Sequence, residues 1–415
     1  MSTVSTLYTN ARIIDPATST DLMGELLVSN DTIVGFAKTM KAPKKTEVVD
    51  CGQRILCPGF VDMRAHDSDD ASATAGGITS IALQADQKTI IDTDLEVERI
   101  RQKTSRNSDI HVYPMAAATR AMQGSDITEI GSMLAAGAVG FSDCNSSPAN
   151  TLILKRLMEY CSYFDALLVT FAEDKSLAAD GYAHEGATAT RLGLAGIPVE
   201  AEVLMIERDA MIARMTGARV HIALVSSAAG VQAIKEAKTL GTKITASVAP
   251  HYLHLNDNAL EGYRTFAKVS PPFRSEEDRL ALIAGLADGT IDCIVSDHKP
   301  QSEDVKRLPF AQAADGVVSF ETMLALTLSM VHAGKVELMT ALKALTSTPA
   351  KLLGIEGGAL AKGMPADITI FDPSQPWVIE EKTLKSKEKN TPFDTLPVQG
   401  KVWRTIVAGR TVFKQ

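Results

Sequence analysis

The stretch Ile55-Leu56-Cys57-Pro58-Gly59-Phe60-Val61-Asp62-Met63 is almost wholly apolar, and Arg64-Ala65-His66 follows it directly. A strand buried on both faces reads this way, as a near-continuous run rather than an alternation. Further runs of the same kind are Ile78–Leu83, Ile110–Met115, Ala138–Phe141, Ala166–Phe171, Val220–Val225, Ile244–Val248 and Ile291–Val295. Between them, apolar residues recur at helical spacing among charges in Thr93–Lys103, Val203–Met215, Val231–Leu240, Glu276–Leu286 and Phe320–Val331. Strands alternating with helices predict an α/β fold, a (β/α)8 TIM barrel over residues 57–359. A doubly wound open sheet has the same pattern, because strand count alone does not decide closure.

The ends have a different texture. LYTNARIIDP and GELLVSNDTIVGFA near the start, and ADITIFDP and KVWRTIVAGRTVF near the end, alternate over short lengths between turns. They predict antiparallel strands, assembled as one small β-sandwich domain from residues 1–56 and 360–415. The Lys-rich tract Glu380–Asn390 reads as a solvated loop. No internal repeat or low-complexity segment interrupts the chain.

Composition narrows the class. The chain has 415 residues, 45% of them hydrophobic and 22% charged, the balance of a globular protein. A chain of this size buries roughly three quarters of its unfolded surface, so it needs no covalent staples. The net charge of −8 comes without a dense Lys/Arg cluster, which speaks against nucleic acid or an anionic membrane as partner. No apolar run approaches the ~20 residues of a membrane span. MSTVSTLYTNARIIDP lacks a basic region followed by an apolar core, so no signal peptide is expected. Cys51, Cys57, Cys144, Cys161 and Cys293 are scattered without a Cys-x-x-Cys, as expected in a reducing, cytoplasmic setting.

Barrel enzymes carry their chemistry at the carboxyl ends of the strands. Here those ends read Arg64-Ala65-His66 (first), Gly140-Phe141-Ser142-Asp143 (fourth), Phe171-Ala172-Glu173-Asp174 (fifth), Ala223-Leu224-Val225-Ser226 (sixth) and Ser296-Asp297-His298-Lys299-Pro300 (eighth). Together with Pro58–Met63, Ser270-Pro271-Pro272-Phe273-Arg274-Ser275-Glu276-Glu277-Asp278-Arg279, Ala366–Pro373 and Asn390-Thr391-Pro392-Phe393, they resemble the dihydroorotases of the amidohydrolase superfamily. The motifs stand in the family's order and span nearly the whole chain. The resemblance implies the same barrel and β-sandwich.

It also implies a chemistry and a departure from it. Family members hydrolyse through a metal-activated water, and zinc brings the pKa of bound water to about 7. Their ligands are a His-x-His after the first strand, a carboxylate after the fourth, one His each after the fifth and sixth, and an Asp after the eighth that also moves protons. Carried onto this chain, the first His is Arg64, and His66 remains. Asp143 matches the carboxylate, Phe171 and Leu224 replace the next two histidines, and Asp297 remains. Arginine stays protonated and does not ligate, and Phe and Leu have no lone pair to offer. The substrate positions are altered too: Ser68 stands for the family's Arg, Ala85 and Ser270 for its Asn residues, and Gln301 for its His.

Three readings of the remnant stay open at this point. His66, Asp143 and Asp297 form a weak mononuclear metal site, or they form a polar cluster at the barrel mouth. In the third reading Arg64 replaces the missing cation by pairing with Asp143 or Asp297. Phe171 and Leu224 most simply fill the vacated space. His184, His251 and His254 fall outside the strand-end positions and read as structural or surface residues. For function, the resemblance implies a non-catalytic dihydroorotase homologue, an assembly subunit in an oligomer with aspartate carbamoyltransferase in pyrimidine biosynthesis, needing no cofactor. The alternatives are a cyclic-amide hydrolase with a reduced zinc site, and a sensor that binds a ligand in the vestigial pocket.

Overall fold

Gly59 divides the first apolar run between two sheets. The computed structural model describes residues 5–415. Residues 1–4, where the terminal domain and the leader reading begin, lie outside the described residues. The chain opens with β1 (Ser5–Asp15), β2 (Thr20–Ser29), β3 (Thr32–Ala37), β4 (Glu47–Asp50) and β5 (Ile55–Pro58), and then turns into β6 (Phe60–Ala65). A Cβ on Gly59 would lie 2.1 Å from Thr79 Oγ1, so only glycine lets the backbone pass so close. An uninterrupted apolar run conceals this break, because both strands are fully buried.

β1–β5 join β15 (Ile368–Val378), β16 (Pro397–Val407) and β17 (Arg410–Lys414) in one sheet of order β17-β16-β15-β5-β1-β2-β3, with β4 beside β1. Both termini therefore build the β-sandwich domain. Tyr8, Ile13, Leu26, Leu56, Ile368 and Ile406 lie in its core. The sheet keeps the chain as far as Pro58, and Leu360 and Ala366 already pack into this core ahead of β15.

The barrel begins with the parallel set β6, β7 (Ile78–Leu83) and β8 (His111–Pro114). It continues with β9 (Leu167–Phe171), β12 (Arg219–Ala223), β13 (Ile244–Val248) and β14 (Cys293–Ile294), while β10 (Ala183–His184) and β11 (Gly196–Ile197) pair as a separate short sheet. β9, β12, β13 and β14 are hydrogen-bonded in that order. The expected strand Ala138–Phe141 is reduced to bridges from Phe141 to Ala116 and to Leu168. It still joins its neighbours, through Phe141 N to Leu167 O at 2.9 Å and Ser142 N to Ala116 O at 2.8 Å. The other seam is a parallel bridge from Ala65 to His298, with His66 N donating to His298 O at 3.0 Å. These two seams close the ring, which removes the open-sheet alternative.

Helices form where the spacing predicts them, at Asp94–Asn107, Glu200–Thr216, Ala228–Thr239, Glu276–Asp288 and Met323–His332. Local signals set their starts: Thr93 caps Glu96 N, and Ser275 with Asp278 forms a reciprocal capping box. The tract Glu380–Asn390 corrects the solvated-loop expectation in part. Leu384, Ser386 and Asn390 are buried, Asn390 Nδ2 donates to Lys299 O and Gly316 O, and Glu321 accepts from Lys385 N and Ser386 N. The tract therefore clasps the loop after β14, which charge content alone does not reveal. All five cysteines are buried and free. Among the described residues no helix is long and apolar enough to cross a membrane.

Candidate functional site at the barrel mouth

Asp62, in the middle of β6, sets the mouth's frame. Its Oδ1 accepts from Ser296 N at 2.9 Å and from Arg64 N at 3.1 Å, and its Oδ2 accepts from Ser296 Oγ at 2.5 Å. This holds the first and last strands in register two residues before Arg64 and one before Asp297. Burial pushes the Asp62 carboxyl up to about 6, against the hydrogen bonds from Ser296 and Arg64.

On this frame Arg64 Nε donates to Asp297 Oδ1 at 2.9 Å, with the two side chains 2% and 6% exposed. Arg64 Nη2 reaches Asn145 Oδ1, and its guanidinium lies 5.9 Å from the centre of the Phe171 ring. His66 Nε2 stands 3.5 Å from Asp297 Oδ1, and His66 Nδ1 meets Asp86 Oδ2 at 2.6 Å. A continuous chain of polar groups results: Asp86, His66, Asp297, Arg64, Asn145. Burial opposes the charge on Asp297, yet the His66 ring beside it and the charge of Arg64 hold its pKa down at about 2. Burial likewise opposes the His66 cation, and the carboxylates of Asp297 and Asp86 outweigh it and raise the His66 pKa. The network contains two carboxylates and two groups that favour the cationic form, so its charges compensate internally.

The candidate residues do not all enter it. Asp143 is buried and accepts from Thr119 N at 2.9 Å and from Thr119 Oγ1 at 2.5 Å. Burial raises its pKa, with Thr119 opposing. Arg64 therefore takes Asp297 and not Asp143. Phe171 and Leu224 are each 1% exposed. Ala85 is fully buried, and Gln301 turns its amide to Asp315 O at 3.1 Å. Ser270 lines a cavity of about 500 Å³ with Glu173, Lys268 and Asp315, the residue whose carbonyl Gln301 engages.

Three members of the network or its surroundings escape a strand-end reading. Asp86 follows Ala85 by one residue and holds His66, and Asn145 follows Asp143 by two and holds Arg64. His251, in the helix Pro250–His254, packs against Tyr252 and Phe273. Burial takes its pKa down to about 4, against the nearby charge of Asp297. His184 and His254 stay outside the network: His184 lies beside Arg274, and His254 bonds Leu326 O and Ser329.

The backbone keeps a strained presentation even where the side chain has no ligating atom. Leu224 has φ 53° and Asp297 has φ 50°. Left-handed conformations cost a side-chain-bearing residue about 1–3 kcal/mol, and they gather at functional sites. The donor set does not fit a two-metal centre. Arg64 brings a fixed positive charge onto Asp297, Asp143 is engaged by Thr119, and Phe171 and Leu224 are hydrocarbon. Among the described residues no group of three or more His, Cys, Asp or Glu side chains is placed to hold a metal ion.

Residues 168–412 match the family model of the amidohydrolases, and residues 52–229 match that of the dihydro-orotase-like proteins. The chain belongs to the amidohydrolase family. Within that family its relatives are dihydroorotases. That of Syntrophus aciditrophicus (strain SB) is 39% identical, and that of Pelobacter propionicus 38%, each over 99% of both chains. Among solved structures, the L-hydantoinase from Arthrobacter aurescens superposes with a TM-score of 0.89 at 23% identity, over 99% of this chain and 96% of that one. The dihydropyrimidinase from Brevibacillus agri NCHU1002 gives 0.85 at 21% identity, over 99% and 95%. At these identities the two structures share the fold alone.

Proposed function

We propose that this chain is a dihydroorotase homologue that does not hydrolyse dihydroorotate, and that it serves in the cytoplasm as a structural subunit for aspartate carbamoyltransferase in pyrimidine biosynthesis. The observation that carries the first half is the Arg64–Asp297 ion pair. A guanidinium stands at the family's first ligand position and engages the carboxylate that the family uses for metal and proton. A metal cation placed there would meet a fixed like charge. Support for the second half is the contrast between a scaffold matched over 99% of its length by dihydroorotases and a mouth whose ligand and substrate groups are replaced. A contact role uses the scaffold without the chemistry.

The test mixes the two purified proteins at micromolar concentration and physiological salt and measures mass by light scattering, with dihydroorotate hydrolysis assayed in parallel. A joint mass above either component and no hydrolysis are expected. Two masses that never combine remove the partner. The alternative reading, a cyclic-amide hydrolase with a reduced zinc site, draws on the retained His66 beside Asp297 and on relatives that are dihydroorotases. Turnover of a cyclic amide that is lost on chelation would establish it.

A further inference from the structure

A cavity of about 510 Å³ opens where the terminal strands meet the barrel, and no residue of the mouth network lines it. Its buried lining is Leu324 on the helix Met323–His332, Leu384 in the tract Glu380–Asn390 and Val402 on β16. Two half-buried aromatic rings complete it, Trp377 on β15 and Phe413 on β17. Trp377 Nε1 donates to Gly400 O at 2.9 Å. That bond satisfies the indole's one polar atom and fixes the ring, which leaves the rest of it for apolar contact. Sites for small molecules are concave and mostly apolar, hold about 300–1,000 Å³ and favour domain junctions. This cavity meets each of those conditions.

The charges around it indicate what it takes. Lys385, Lys401 and Lys414 line the cavity, and none of them makes an ion pair among the described residues. The Lys401 ammonium lies 5.1 Å from the centre of the Trp377 ring, so a cation stands beside the aromatic wall. The carboxylates are fewer, and one is already engaged. Glu321 Oε1 accepts from Lys385 N at 2.6 Å, from Ser386 N at 3.1 Å and from Ser72 Oγ at 3.3 Å. Burial raises its pKa against those bonds. Glu380 is the other side-chain carboxylate in the lining, and it is exposed. Three ammonium groups thus face one free side-chain carboxylate, in a chain whose net charge is −8. An apolar body that carries a negative group is the complement of such a surface.

We propose that this cavity is a binding site for a small molecule with a flat apolar body and one anionic group, the body against Trp377 and Phe413 and the charge beside Lys401 and Lys414. The inference is independent of the proposed function, because it involves neither the barrel mouth nor a second kind of protein. Anilinonaphthalene sulfonate, a flat aromatic anion, is the probe, and N-phenylnaphthylamine is its neutral counterpart. The chain has two tryptophans, so Trp403→Phe leaves Trp377 as the one indole that fluoresces. In that full-length variant the sulfonate should bind at one site per chain and take up the Trp377 emission. Adding Lys401→Gln/Lys414→Gln should raise its dissociation constant about fivefold and leave that of the neutral probe unchanged. Phe413→Ala should weaken both probes. All three side chains are exposed or half-buried, so circular dichroism should stay unchanged. Sulfonate binding without transfer from Trp377, affinity indifferent to the two lysines, equal affinity for the two probes, or no saturable binding below millimolar concentration would overturn the proposal.

Discussion

Arg64 Nε and Asp297 Oδ1 lie 2.9 Å apart, joining the first and last strands of the barrel across its seam. A charge this deeply buried persists only when it is paired. The pair therefore has two effects: it neutralises Asp297, and it ties β6 to the loop that follows β14. Removing one partner of a buried pair costs about 3–5 kcal/mol, because the other charge is left uncompensated. Arg64→Met should therefore lower stability by about that amount in urea titration. Arg64→Met/Asp297→Asn should lose less than the sum of the single changes, as contacting partners do in a double-mutant cycle. Unchanged melting of Arg64→Met would show that the guanidinium is not the counter-ion.

A second link crosses between the domains. His111, on β8, places Nε2 3.1 Å from Asp367 Oδ2, just ahead of β15. The Asp367 hydrogen bond, opposed by partial burial, raises the His111 pKa above its ordinary value. A histidine raised in the folded state contributes stability that is fully present below its unfolded pKa of about 6.5 and is lost as pH rises through the higher folded value. The melting temperature should therefore fall as pH rises from about 6.5 towards 8. His111→Gln should flatten that dependence. An identical slope in the variant would locate the titrating group elsewhere.

Metal content bears directly on the mouth. Arg64 engages Asp297 and Thr119 engages Asp143, so two of the three retained ligand positions are already occupied by other partners. Protein purified with added zinc and then dialysed should hold well under one equivalent per chain by elemental analysis. A full equivalent surviving dialysis, with His66 and Asp297 in its coordination shell, would end the pseudoenzyme reading.

How far these features can be read from the sequence depends on range. Strands such as Ile78–Leu83 and Ile244–Val248 are legible because burial on both faces forces a local apolar run. Gly59 is not, because its role is a close approach to Thr79 on the next strand. The altered ligand positions stand out at the strand ends, where a known pattern exists for comparison. The choice of Asp297 over Asp143 by Arg64 is set by Thr119, which holds Asp143 from a separate loop. Asp86 and Asn145 escape notice for a related reason. Each lies within two residues of a position that attracts attention, but its partner is 20 or 81 residues away.

Restoring the ligand histidines tests whether metal alone is missing. Arg64→His, Phe171→His and Leu224→His together would complete the nominal donor set, and Leu224 already holds the left-handed backbone, with φ 53°. Zinc uptake should rise in this variant. Dihydroorotate hydrolysis should nevertheless stay near background. A metal supplies the nucleophile, but rate also depends on holding the substrate close to its reacting geometry. Gln301 is turned onto Asp315 O, Ala85 has no side-chain hydrogen bond to offer, and Ser68 does not carry a guanidinium for the substrate carboxylate. The new histidines would also need partners that fix a ligand's tautomer, and Asp297 would lose Arg64, which together with His66 holds its pKa down at about 2. Substantial turnover by the triple variant would show that the pocket still positions substrate and that ligand loss alone silences the site.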